Sequence, residues 1–163
     1  MATWDEFEAA APDVATAGHA LLYRGGQGGA LLATVREQEP PRIHPVSVGI
    51  IDGRLFAFIL PSAKRIDLER DGRYAMHAYV DPDAPSEFAV RGHAEPVVDE
   101  AARAGVASRW YFQVDETYRL FEFSIESAVL GLRGVSEWPP RYRTWSGLSR
   151  TQGPAPHGGV EDR

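Results

Sequence analysis

The chain has 163 residues, 44% of them hydrophobic and 25% charged, which is the balance of a globular protein with room for a single core. Seventeen basic residues against 23 acidic ones give a net charge of -6, which argues against a general affinity for nucleic acid while allowing a local basic pocket. Cysteine is absent, so disulfides, thiolate zinc sites and a cysteine nucleophile are excluded, and no apolar run approaches the ~20 residues of a membrane-spanning helix. The first residues, "MATWDEFEAAAPDV", are acidic where a secretory signal would be basic and then apolar, so a cytoplasmic location is expected.

In chain order, Thr3 ahead of an acidic turn predicts a short helix, broken at Pro12 and followed by a second through "VATAGHALLYR". "GGQGG" then interrupts the chain. It lacks the Gly-Lys-Ser/Thr ending of a P-loop, and a strand follows the glycines where a dinucleotide site needs a helix, so it reads as a linker. "ALLATVRE" (30–37), "RIHPVSVGIID" (42–52) and "GRLFAFIL" (53–60) read as three strands of an antiparallel meander, the last two joined by an Asp52-Gly53 hairpin. Pro45 predicts an edge or a bulge, because it cannot donate to a ladder.

A helix over about 63–70 comes next, then strands "RYAMHAYV" (73–80) and "EFAVRGHAEPVV" (87–98), with Gly92 a candidate bulge. "DEAARAGVASRWYF" has helical spacing behind an acidic start. "YRLFEFSIESAVLGLRG" (118–134) supplies one or two strands and "RYRTWSG" (141–147) a last one. The expected organisation is an N-terminal helical segment and linker (1–29), a β-domain (30–147) and a disordered tail (148–163). Six or so closely spaced strands with brief helices predict a mainly β, closed or nearly closed antiparallel barrel.

The chemistry-bearing residues are few. His19, His44, His77, His93 and His157 show no metal-site spacing, and there is no Gly-x-Ser-x-Gly elbow or paired-carboxylate pattern, so no metal site is expected. Any chemistry is expected to belong to a bound cofactor. The most informative stretch is "LPSAKRIDLERDG" (60–72), where Lys64 and Arg65 occupy the first turn of the expected helix, behind Ser62 as N-cap. Cations are unfavourable at that end unless an anion binds there. On residue types alone, a phosphate cradle and a pair of solvated cations screened by Asp67 and Glu69 both remain open.

The order of these motifs, from "LLATVRE" through "RIHPVSVGIIDGRLFAFILPSAKRIDLERDGR" to "EFAVRGHAEPV", resembles the pyridoxamine 5'-phosphate oxidase-like FMN-binding split-barrel superfamily, over roughly residues 18–135. It is most similar to the small flavin or deazaflavin oxidoreductases of that group. The resemblance implies a six-stranded antiparallel split β-barrel and a homodimer with two cofactors in interface grooves. It implies a phosphate held by Arg42 or His44 and by Ser62, Lys64 and Arg65. The ring would lie along Pro45, Val46, Ser47 and the following Val48 on one side, and Ile59, Leu60 and Pro61 on the other. Arg91 and Gly92 would approach from the partner subunit, and Trp145, with Arg143, would close the site.

Two departures stand out. "EQEPP" replaces the Asp-Gly commonly found in the first hairpin, which alters only an exposed turn, and the C-terminal arginine and histidine that bind substrate in true pyridoxamine phosphate oxidases have no counterpart. Vitamin B6 oxidation is therefore not implied. The expected activity is hydride transfer between FMN or coenzyme F420 and a small conjugated substrate. His44, His77 and Tyr79 are the protic candidates, and no catalytic residue is assigned. The alternatives are a protein that sequesters flavin, F420 or haem without turnover, haem ranking behind the other two, and a vestigial site on a dimer that serves as an interaction module.

Overall fold

A computed structural model of the chain describes residues 1–147; the tail expected at 148–163 lies outside them. Two helices open the chain, α1 (Trp4–Ala10) and α2 (Pro12–Leu22), divided at Ala11 with Pro12 in the first turn of the second. A capping box between Thr3 and Glu6 starts α1 and aims Trp4 and Phe7 inward, where both are fully buried. Phe7 packs on Phe88 and Trp145, so these helices share the core of the sheet.

Eight strands follow: β1 (Gly29–Arg36), β2 (Glu39–Ser47), β3 (Gly49–Ile51), β4 (Arg54–Ile59), β5 (Arg73–Ala78), β6 (Glu87–Pro96), β7 (Arg119–Leu132) and β8 (Arg141–Ser146). Two further helices are inserted, α3 (Ala63–Arg70) after β4 and α4 (Glu100–Ala107) after β6. Every pairing between these strands is antiparallel, in the order β2-β1-β5-β6-β7-β4-β3, with β8 on β7. The 14-residue β7 serves two neighbours on one side, β4 along its first half and β8 along its second.

The predicted single strand 42–52 is instead two, separated only by Val48, and they lie at opposite ends of the strand order. Consecutive stretches of chain can occupy both ends of a sheet only if the sheet curls until its ends meet. This joint replaces the expected three-strand meander and adds one strand, and with β8 as a separate strand the total is eight rather than six. Pro45 sits on β2, which among the described residues pairs only with β1, an edge position of the kind where a residue without an N–H is tolerated. The β3–β4 hairpin turns at Asp52 (φ 48°) and Gly53 (φ 67°), both left-handed, which suits the right-handed twist of the flanking strands. A bulge falls between Arg91 and Gly92, where a Cβ on Gly92 would lie 1.9 Å from the Ser124 carbonyl oxygen.

β4 is buried on both faces. Leu55, Ala57 and Ile59 join the main core inside the curl, and Phe56 and Phe58 join a second cluster with Val106, Trp110 and Leu120 beneath α4. That double burial explains the unbroken apolar run "LFAFI". The helix predicted through 112 ends at Ala107, and the chain continues as an irregular aromatic segment to β7. Among the described residues no helix is long and apolar enough to cross a membrane.

Candidate functional site

The junction of β2, β4 and α3 encloses a cavity of about 480 Å³, inside the ~300–1,000 Å³ range of small-molecule sites. One wall is the backbone and side chains of Pro45, Val46 and Ser47 at the end of β2. The opposite wall runs from Phe58 and Ile59 through Leu60 and Pro61 to Ser62 and Lys64 at the start of α3. Tyr79, Phe112 and Tyr118 complete it with aromatic surface.

The cationic end is built from "PSAKR". Ser62 occupies the N-cap position in extended conformation, yet its hydroxyl donates to the Leu60 carbonyl at 2.9 Å rather than accepting from the helix. Among the described residues the N–H groups of the first turn therefore have no side-chain cap, and no acidic residue stands in that turn. Lys64 bridges the cavity walls, its Nζ donating to the Pro45 carbonyl at 2.8 Å. Burial lowers its pKa from the usual lysine value, and among the described residues it has no ion-pair partner. An unpaired, half-desolvated ammonium at an uncapped helix start is a donor set that fits an anion.

Beside it lies a buried polar cluster. Asp67, 2% exposed on α3, accepts from the Thr34 hydroxyl at 2.9 Å and faces Arg42 Nε at 3.3 Å. Its carboxylate balances Arg42, so that guanidinium is committed to the fold. His44 has its pKa lowered by burial first, then by the charges of Lys64 and Arg42, with Asp67 opposing. Its Nε2 is buried without a hydrogen-bond partner among the described residues.

Of the residues read from the sequence as cofactor-binding, Pro45, Val46, Ser47, Ile59, Leu60, Pro61, Ser62 and Lys64 thus line one cavity. Arg42 and His44 adjoin it within the buried cluster. Arg65 is turned elsewhere, donating to Glu69 at 3.0 Å and to the Thr117 carbonyl at 3.1 Å. Arg91 and Trp145 line a different groove, of about 730 Å³, across β5 to β8, where Arg91 Nε donates to Ser127 Oγ at 2.8 Å. Gly92 is buried at the bulge. Of the three protic candidates, only Tyr79 lines the cavity. His77 is held by the Ala78 carbonyl and lies 3.6 Å from Glu87.

Phe58, Phe112 and Tyr118 were not singled out from the sequence. Their aromatic character was the available signal, but Phe58 was absorbed by the strand 53–60, Phe112 by the helical spacing read through 112, and Tyr118 by the strand read from 118.

No protein-family profile and no curated protein sequence matches the chain. Solved structures do. A heme binding protein from Mycobacterium smegmatis aligns over 80% of this chain with 21% identity and a TM-score of 0.58; the chain spans only 57% of that protein's length. A Clostridium acetobutylicum protein of the pyridoxinephosphate oxidase family, related to general stress protein 26 of B. subtilis, aligns over 80% of this chain and 96% of its own, with 16% identity and a TM-score of 0.58. The chain has the pyridoxamine 5'-phosphate oxidase-like split-barrel fold. A third similar structure, HupZ of Group A Streptococcus, aligns over 73% of this chain and 94% of its own length, at 18% identity and a TM-score of 0.60. Within this split barrel the joint at Val48 brings the end of β2 against the β4–α3 turn, and the cavity forms between them.

Proposed function

We propose that this split barrel binds a phosphate-bearing flavin or deazaflavin in the 480 Å³ cavity and acts as an oxidoreductase on a small conjugated substrate. The observation that carries the reading is Lys64, an ammonium with no ion-pair partner among the described residues, at the uncapped start of α3 and opening on a cavity to which Phe58, Tyr79, Phe112 and Tyr118 contribute aromatic surface. Lys64, Ser62 and the first-turn N–H groups would hold the phosphate by charge-assisted bonds. The backbone of Pro45–Ser47 and Ile59–Pro61 would flank the ring, and Tyr79 is the protic group beside it. FMN or coenzyme F420, when bound, supplies the hydride chemistry. The chain's part is to anchor, orient and exclude water.

A homodimer belongs to this reading. The outer sheet face exposes Leu31 and Ile43, and the groove beneath Trp145 and Arg91 is lined mostly by small residues, so a second copy could approach closely. A binding-only role with haem is a second reading, favoured by the likeness to the Mycobacterium heme binding protein.

Mass spectrometry and absorption spectroscopy of the group released from the purified protein separate these readings. FMN or F420 supports the first and haem the second. Protein that purifies without any of them and fails to take them up rejects both.

A further inference from the structure

Residues 110–118, between α4 and β7, lie outside every motif that pointed to the cofactor, yet they supply two walls of its cavity, Phe112 and Tyr118. Their rings are in contact, with centroids 5.8 Å apart and planes tilted by 48°. Trp110 and Tyr111 fix that pair from behind. They stack at 4.9 Å, and Trp110 meets Phe58 edge-on at 5.1 Å.

Hydrogen bonds pin the segment at three places. The Tyr111 hydroxyl lies 2.9 Å from the Val48 carbonyl and 3.0 Å from that of Gly28, at the joint where the barrel closes. Arg103 of α4 donates to the carbonyls of Asp115 at 2.6 Å and Tyr118 at 3.2 Å. Arg65 of α3 donates to the Thr117 carbonyl, next to Tyr118, while Glu69 joins Arg65 to Arg119 at the start of β7. The helix whose N-terminus forms the cationic part of the cavity is thereby tied to the segment that supplies its aromatic walls.

We propose that residues 110–118 form an aromatic clamp for the planar part of the bound group, and that Arg65 is its positioning residue rather than a phosphate ligand. This rests on the phosphate-bearing cofactor reading above. The division of labour follows from the walls: Lys64 and Ser62 offer charge and hydrogen bonds, whereas Phe112 and Tyr118 offer ring faces. Arg65 spends its guanidinium on Glu69 and on Thr117. It sets the clamp's distance from α3.

Binding of four probes tests this on the full chain: FMN, coenzyme F420, riboflavin as a ring without phosphate, and inorganic phosphate followed by phosphorus NMR. Phe112→Ala and Tyr118→Ala should weaken whichever of FMN or F420 binds, and riboflavin, by about tenfold, with inorganic phosphate unchanged. Phe112→Leu, which keeps apolar bulk without the ring, should show the same split if the alanine variant folds poorly. Arg65→Ala should weaken the whole cofactor while leaving inorganic phosphate unchanged, and Arg65→Lys, still able to reach Thr117, should recover part of the loss.

Equal loss of phosphate affinity in Arg65→Ala would make Arg65 a direct ligand and overturn its positioning role. Unchanged cofactor affinity in both the Phe112 and the Tyr118 variants would overturn the clamp and leave the phosphate anchor standing. A wild-type chain that binds none of the four probes overturns anchor and clamp together.

Discussion

Lys64 is the residue on which the proposed site turns. A lysine half removed from water that, among the described residues, donates only to a carbonyl is held at a cost, and a bound anion offsets that cost. Lys64→Ala should weaken FMN or F420 binding by about 1.5–3 kcal/mol, the range for hydrogen bonds to charged groups, without unfolding the protein. Isothermal titration of the variant checks this, and equal affinity would remove Lys64 from the site. The direction of its pKa shift adds a pH dependence. Because burial lowers the folded-state pKa, the charge is complete below that lowered value and is lost as pH rises through it, ahead of an ordinary lysine. Anion affinity should therefore fall from neutral to alkaline pH, and binding in that window should take up protons. In the ligand-free protein the same shift costs stability below the lowered pKa, and the cost is relieved as pH climbs toward the usual lysine value. An affinity that stays flat across that window would indicate that another cation carries the anion.

Elements explain why some of the site was legible and some was not. The α3 helix was read from Ser62 onward with its bounds as found, because a cap position, a short polar helix and a following strand leave few alternatives. Its partners were not legible. Asp67 entered the sequence reading only as a screen in the solvated-cation alternative, whereas it is buried against Thr34 on β1 and Arg42 on β2, the first two strands of the chain. Asp67→Ala should destabilise the fold by about 2–3 kcal/mol, toward the lower end for breaking a buried pair because Arg42 can turn partly to water. Urea denaturation measures this, and a neutral result would mean that the cluster contributes nothing to stability. In α2, Gly18 sits mid-helix, where alanine is normally better by ~1 kcal/mol. A Cβ there would lie 2.4 Å from the ring of the fully buried Phe88, so Gly18→Ala should instead destabilise by about 1–2 kcal/mol. A stabilised variant by thermal unfolding would show that helix and sheet can separate at little cost.

At the scale of the molecule, the open question is how many copies make one site. The exposed apolar residues of β1 and β2 and the groove across β5–β8 lie on outer sheet faces, and covering them with a second copy is the economical arrangement. Light scattering should give a mass near twice 17.9 kDa. A monomer at working concentrations would confine the site to one chain and leave Arg91 and Trp145 without a role in it.

The sequence by itself determined the elements whose signals are local: the helix start at Thr3, the Asp52-Gly53 hairpin, the bulge at Gly92 and the start of α3 at Ser62. In each, one or a few adjacent side chains set the backbone. Motif order added the barrel. Only the tertiary structure decided that residues 42–52 are two strands at opposite ends of the sheet, because a single-residue joint at Val48 leaves no mark in hydrophobic pattern. It likewise decided that Arg65 faces Thr117 and that Phe112 and Tyr118 wall the cavity. Such contacts join residues tens of positions apart. They depend on how the curled sheet places its insertions, which no local propensity encodes.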